Sequence, residues 1–330
     1  MTTNFLGVPN TPLKEAKFVI LPLPYDVTTS YIKGTSRGPS AIIDASTQVE
    51  TYDEELERET YPPEADLPMA QGSRARGRPL QEETCLRHGN KKTAPDKKYG
   101  IHTLRTPPLD FNAKPEKFIV SLNNYVKPLI KKLTPSQILI SLGGEHSISY
   151  PIVKTYQEVM GTNFSVLHLD AHSDLREEYE GSIYNHACVM KRIFDLGVKS
   201  IVQIGIRNLT PDCMKLINAQ RTTLKTFFAH KHKTYKNIVS EILNTLADNV
   251  YVTIDLDVFD PSLMPAVGTP EPGGLNWHEV LDILRPVFQK KIIIGFDVVE
   301  LCPLKNSIYS DFTAAKLIYR LMGYFIGNYK

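Results

Sequence analysis

Six side chains of this 330-residue chain are metal ligands by type, and their spacing groups them. Asp170, His172 and Asp174 fall at i, i+2 and i+4 directly after the apolar run Phe164–Leu169. In an extended segment that spacing sets all three on one side of the backbone, and carboxylate plus imidazole at a strand end makes half of a divalent-metal site. Asp255 and Asp257 repeat the period after a second apolar run, and His146 follows a third behind Gly143 and Gly144. A fourth run delivers Glu300, and His186 closes the stretch that begins at Leu167. Taken alone, D-x-H-x-D fits a strand running into a hydrophilic turn equally well. Four separate runs ending in such groups are much harder to read that way, because open α/β sheets place their sites at the carboxyl ends of strands.

Two histidines and four aspartates are too many for one catalytic zinc and suit two six-coordinate ions that share carboxylates. Oxygen-rich ligation with some imidazole and no thiolate favours Mn(II) over zinc or copper. Four aspartates buried together are costly unless cations neutralise them, and two divalent ions do so. A water shared by two such ions is acidified towards neutrality, so the chemistry implied is hydrolysis.

The elements that must hold these groups follow from apolar patterning. Strands are expected at Lys17–Pro22, Gln137–Leu142, Phe164–Leu169, Ser200–Ile206, Thr223–Phe228, Asn249–Ile254 and Lys291–Phe296. Helices are expected at Ala41–Thr51, Pro115–Leu133, Ser149–Met160, His186–Asp195, Pro211–Asn218, Tyr235–Ala247, Trp277–Phe288 and Ser310–Ile326. Apolar strands alternating with helices indicate a parallel sheet covered on both faces. The loop after the first strand, with Gly34 and Gly38, could line a pocket or serve as a plain connection. Pro62–Lys98 is rich in Pro, Gly, Arg and Lys and carries neither period, which reads as a flexible surface insertion in a single domain spanning 1–330.

Composition excludes several classes. A formal net charge of +2 gives no preference for nucleic acid or membrane, and no apolar run is long enough to span a bilayer. Cys85, Cys188, Cys213 and Cys302 form no C-x-x-C pair, so neither a zinc ribbon nor a disulfide framework is expected, and reduced thiols in the cytoplasm are the simplest reading. The N-terminal residues lack a basic region followed by an apolar core, so no signal peptide is expected.

The motifs GGEHS, DAHSD, DLDVFDP with GTPEPGGL, and GFDVVELCP, in this order and separation, resemble the signatures of the ureohydrolase (arginase/agmatinase) family, nearest its agmatinase branch. The resemblance covers nearly the whole chain from Lys17 apart from Pro62–Lys98. It implies a three-layer α/β/α fold with a mainly parallel sheet, two Mn(2+) per chain, a small guanidino substrate and a homo-trimer or homo-hexamer. It further implies that His146, Asp170, Asp174 and Asp255 hold one ion and His172, Asp170, Asp255 and Asp257 the other. His186 resembles the family's acid/base histidine, and Glu300 its guanidinium-gripping carboxylate. Without the resemblance, His186 reads more simply as a helix-start residue and Glu300 as a buried structural acid. His168 is expected in the core or behind a ligand, Glu145 behind a ligand, and Cys188 in packing.

Agmatine plus water giving putrescine and urea is the reaction implied. Arg176 stands where arginases usually carry asparagine, and Asn208, Leu209 and Thr210 follow the G-x-R motif without the aspartate that would hold an α-amino group. Guanidinobutyrate, guanidinopropionate and formimidoyl-glutamate remain open as substrates, as does a metal-stabilised scaffold without turnover. A one-zinc deacetylase would need fewer aspartates. Glu177 and Glu178 could meet a cationic tail, or simply face solvent.

Overall fold

The structure is a computed structural model and describes residues 3–61, 99–231 and 235–327. The expected insertion at Pro62–Lys98 therefore lies outside the described residues. Among the described residues ten strands form in chain order: β1 (Ala16–Leu23), β2 (Tyr52–Asp53), β3 (Arg58–Glu59), β4 (Gly100–Thr103), β5 (Ile138–Gly143), β6 (Ser165–Leu169), β7 (Ser200–Ile206), β8 (Leu224–Phe228), β9 (Asn249–Asp255) and β10 (Ile292–Val299). The helices are α1 (Gly38–Ser46), α2 (Pro115–Lys132), α3 (Ser149–Met160), α4 (Val189–Asp195), α5 (Pro211–Ala219), α6 (Val239–Thr245), α7 (Trp277–Lys290) and α8 (Tyr309–Gly327).

Eight strands build one sheet in the order β4-β1-β5-β10-β9-β6-β7-β8, and every pairing in it is parallel. Parallel strands need crossovers, and the helices supply them on both faces. Strand residues alternate between two apolar layers. Phe18 and Ile20 pack with α1, α6, α7 and α8, while Val19, Leu21 and Leu23 pack with α2, α3, α4 and α5. The result is the expected three-layer α/β/α arrangement. The strands ending in His146, Glu300, Asp255 and Asp170 are β5, β10, β9 and β6, four consecutive neighbours at the sheet centre. Their carboxyl ends therefore open side by side.

Local signals set many boundaries. Asn276 caps α7 in a reciprocal box with Glu279, and Thr210 caps α5 ahead of Pro211. The expected helix at Ala41–Thr51 instead begins at Gly38, with Pro39 in its first turn, and ends at Ser46, where turns take over. The acidic run after it folds into the β2–β3 hairpin because Arg320, buried in α8, reaches Asp53 (2.6 Å), Glu54 (2.6 Å) and Glu55 (2.6 Å). Among the described residues, no helix is long and apolar enough to cross a membrane.

Candidate metal centre

The chain leaves β6 at Leu169, and Asp170, His172 and Asp174 lie in the irregular segment beyond it, not in a strand. The period-two account of their convergence is therefore corrected. Asp174 takes a left-handed φ of +51°, and His172 bridges to Asn208 beyond β7. Asp257 likewise sits in a 3₁₀ turn that starts where β9 ends, its N–H donating to Asp255 Oδ1 at 2.9 Å. His146 opens a 3₁₀ turn beyond β5. Glu300 follows β10 directly, with a φ of +66°. Turns, not strand pleat, bring the carboxylates together.

Asp170, Asp255, Asp257 and Glu300 each spend one oxygen on a backbone donor. Asp170 Oδ1 accepts from His172 N (2.5 Å), Asp257 Oδ1 from Ala171 N (2.9 Å) and Glu300 Oε1 from His146 N (2.7 Å). The second oxygens of three aspartates converge on His146: its Nδ1 lies 3.2 Å from Asp170, 3.3 Å from Asp174 and 3.3 Å from Asp255. Separations near 3 Å are the edges of an octahedron with bonds of about 2.1 Å. A second group forms beside it, where His172 Nδ1 lies 2.8 Å from Asp257 and 3.6 Å from Asp170. Asp170 belongs to both groups, and the short contact of Asp255 is with the first.

His146 Nδ1 is buried and has no hydrogen-bond partner. Its other nitrogen explains why. Nε2 lies 2.8 Å from Thr253 Oγ1, whose own proton goes to Asp297 Oδ1 at 2.6 Å. Thr253 must therefore accept from Nε2–H, which leaves the Nδ1 lone pair aimed at the three carboxylates. His168 is fixed the opposite way. Gln203 Nε2 donates to its Nδ1 (3.0 Å), so Nε2–H is committed to Asp170 Oδ2 (2.7 Å) and His168 orients that carboxylate.

The electrostatics call for cations. Burial, then Asp257 and Asp170, push the Asp255 carboxyl well above the carboxylate range. Burial disfavours charge on His172, but Asp257 and Asp170 outweigh it and hold its pKa up to about 12. A cluster with this affinity for positive charge suits divalent ions, which take the place of the protons.

One pocket exposes His146, His172, Asp174, Asp255, Asp257, His186 and Glu300, with Asp170 completely buried beside them. All eight expected residues thus meet. The loop after β1 lines the same pocket through Thr29–Ile32. Asn208, Leu209 and Thr210 form another wall, and among the described lining residues the acids are those already named. Glu177 pairs with Arg192 (2.6 Å) and Lys191 (2.9 Å) and does not line the pocket. His186 does open a short 3₁₀ turn, capped by Asn185, and faces the pocket as well. Glu145 binds Thr28 and Ser147 instead of a ligand side chain. Cys188 is buried, and burial pushes its thiol up to about 12, in keeping with packing. Thr28, Thr253, Asp297 and Gln203 were not legible as parts of the site, since a lone polar residue in a loop or an apolar strand carries no local signal.

Known proteins resemble this chain along almost its whole length. The sequence model of the Arginase family matches residues 16–323. The N(1)-aminopropylagmatine ureohydrolase of Synechocystis sp. is 35% identical over 319 residues, which are 95% of this chain and 90% of that protein. The agmatinase of Pyrococcus horikoshii is 31% identical over 318 residues, 96% of this chain and 95% of that one. The crystal structure of the agmatine ureohydrolase of Thermoplasma volcanium superposes with a TM-score of 0.75 at 26% identity, across 97% of this chain and 93% of that one. With sequence and fold matching along almost their whole length, the chain belongs to the Arginase family.

Proposed function

We propose that this member of a family of guanidino-compound hydrolases acts on an amine-tailed guanidine, agmatine or its N(1)-aminopropyl derivative, with two Mn(2+) ions. The observation that carries the reading is the buried, unpartnered His146 Nδ1 facing three carboxylate oxygens at 3.2–3.3 Å, in a pocket that Glu300 also lines. The relatives named N(1)-aminopropylagmatine ureohydrolase and agmatinase support the amine tail.

His146, Asp170, Asp174 and Asp255 would hold one ion, and His172, Asp170, Asp255 and Asp257 the other. When bound, the two ions neutralise the aspartates and acidify a water. Glu300, with Oε1 fixed by His146 N–H, turns Oε2 to the substrate guanidinium, a planar cation that a carboxylate holds by charge-assisted hydrogen bonds. His186 relays a proton from the attacking water to the departing amine nitrogen. The net change is balanced: the guanidinium carbon gains the water oxygen and loses the amine, so a guanidinium and water become urea and an alkylammonium. A cytoplasmic homo-trimer or homo-hexamer belongs to the same reading, by likeness to the family.

One observation favours a second reading. The half-buried Arg176 lines the pocket with its guanidinium 4.7 Å above the Tyr179 ring, and among the described residues no carboxylate pairs with it. A carboxylate-tailed guanidine such as 4-guanidinobutyrate would suit it. Urea release by Mn-loaded protein from agmatine, N(1)-aminopropylagmatine, arginine, 4-guanidinobutyrate and 3-guanidinopropionate, with formimidoyl-glutamate followed by formamide, decides. The amine-tailed guanidines should dominate. Preference for a carboxylate tail would replace the substrate and keep the chemistry, and no turnover with two metals bound would leave a scaffold.

A further inference from the structure

The loop after β1 does more than line the pocket. Thr28, buried at its start, makes three contacts through one hydroxyl. Oγ1 lies 2.6 Å from Glu145 Oε1, 3.0 Å from His186 N and 3.3 Å from His186 Nδ1. A hydroxyl has one proton and two lone pairs. The backbone N–H of His186 can only donate, so it takes one lone pair. Glu145 accepts from Thr28 N (2.6 Å) at Oε2 and from Ser147 Oγ (2.5 Å) at Oε1, and the Thr28 proton goes to the same Oε1. The remaining lone pair of Thr28 faces His186 Nδ1, which must supply the hydrogen.

We propose that Thr28, clamped by Glu145, is the positioning residue that holds His186 with its proton on Nδ1, so that Nε2 alone exchanges protons in the pocket. The inference rests on the acid/base reading of His186. It repeats the device at His146, whose tautomer is fixed by Thr253, clamped by Asp297. Through the reaction Nδ1–H stays on Thr28. A proton from the attacking water lodges on Nε2, then passes to the amine nitrogen as the carbon–nitrogen bond breaks. Without the hydroxyl, the ring is free to turn and to carry its hydrogen on Nε2, where it cannot accept.

The test compares wild type, Thr28→Val, Thr28→Ser and His186→Asn as Mn-loaded enzymes, on whichever guanidine is hydrolysed, with metal content measured. Thr28→Val should lose roughly 10- to 100-fold in kcat with little change in KM or metal content, the scale typical of residues that orient a functional histidine. Thr28→Ser should recover most of that loss. Independently, ¹⁵N NMR of the Mg²⁺-loaded wild type should show His186 protonated at Nδ1 and bare at Nε2. Wild-type kcat in Thr28→Val, or equal loss in Thr28→Ser, overturns the inference, as does an Nε2–H tautomer. If Thr28→Val fails to fold, the tautomer decides alone. If His186→Asn keeps full activity, the acid/base reading itself has failed; if only Thr28→Val does, the histidine role stands and the positioning role falls.

Discussion

At the scale of single residues, two of the proposed ligand and substrate carboxylates are held in a backbone conformation that ordinary side chains avoid. Asp174 and Glu300 both have φ in the left-handed region, a strain of about 1–3 kcal/mol each that persists only where surroundings impose it. For Glu300 the surroundings also oppose its charge: burial, then Glu145, raise its pKa well above normal. A bound guanidinium relieves that opposition. Glu300→Gln keeps the acceptor for His146 N–H but loses the charge, so kcat/KM should fall on the order of 100-fold with metal content intact. Steady-state kinetics with metal analysis checks this, and unchanged kcat/KM would return Glu300 to a structural role. Burial holds the His186 pKa below its ordinary 6.5, outweighing the nearby Asp174 carboxylate. The imidazole is therefore neutral at pH 7 and is lost as a proton acceptor only as pH falls through that lowered value. The acid limb of the wild-type kcat/KM profile should lie below pH 6.5. His186→Asn should lower kcat by roughly 10²- to 10⁴-fold and remove that limb.

At the scale of elements, the site depends on loops pressed tightly against one another. Gly144 lets the end of β5 pass the β1 loop: a Cβ there would lie 2.0 Å from the Tyr25 carbonyl oxygen, a backbone atom that cannot step aside. Gly144→Ala should therefore separate the two loops, break the Thr28–Glu145 clamp and lower both activity and thermal midpoint, which calorimetry and urea release would show. A variant with wild-type stability would contradict so close an approach. The main strands were legible because parallel strands buried on both faces read as continuous apolar runs, and the ligands because they follow those runs. Strand alternation, expected from the sequence, does not bring these side chains together. Side-chain alternation describes a strand, and Asp170, His172 and Asp174 lie past its end. The clamps were not legible because their parts are remote, with Thr28 and Glu145 separated by 117 positions and Thr253 and Asp297 by 44. The β2–β3 hairpin was hidden for the same reason, since Arg320 lies 265 positions after Glu55.

At the scale of the whole molecule, the sheet order sets the chemistry. β5, β10, β9 and β6 come from distant parts of the sequence, and only their adjacency unites His146, Glu300, Asp255 and Asp170. Charge concentrated at that seam makes stability depend on cations. Stripping divalent metal with a chelator should lower the thermal midpoint by several degrees, consistent with a ligand at 100 times its Kd adding about 2.7 kcal/mol. Restoring Mn(2+) should bring it back, and a midpoint indifferent to metal would mean that the aspartates are neutralised by protons alone. Two ions, held by one shared ligand set, should be needed for guanidine hydrolysis. The most direct test of this requirement is a Mn(2+) titration of chelator-stripped protein, with bound metal and urea release from agmatine measured in the same samples. Activity should rise with the second equivalent per chain. Full activity at one equivalent, or urea release without metal, would contradict it.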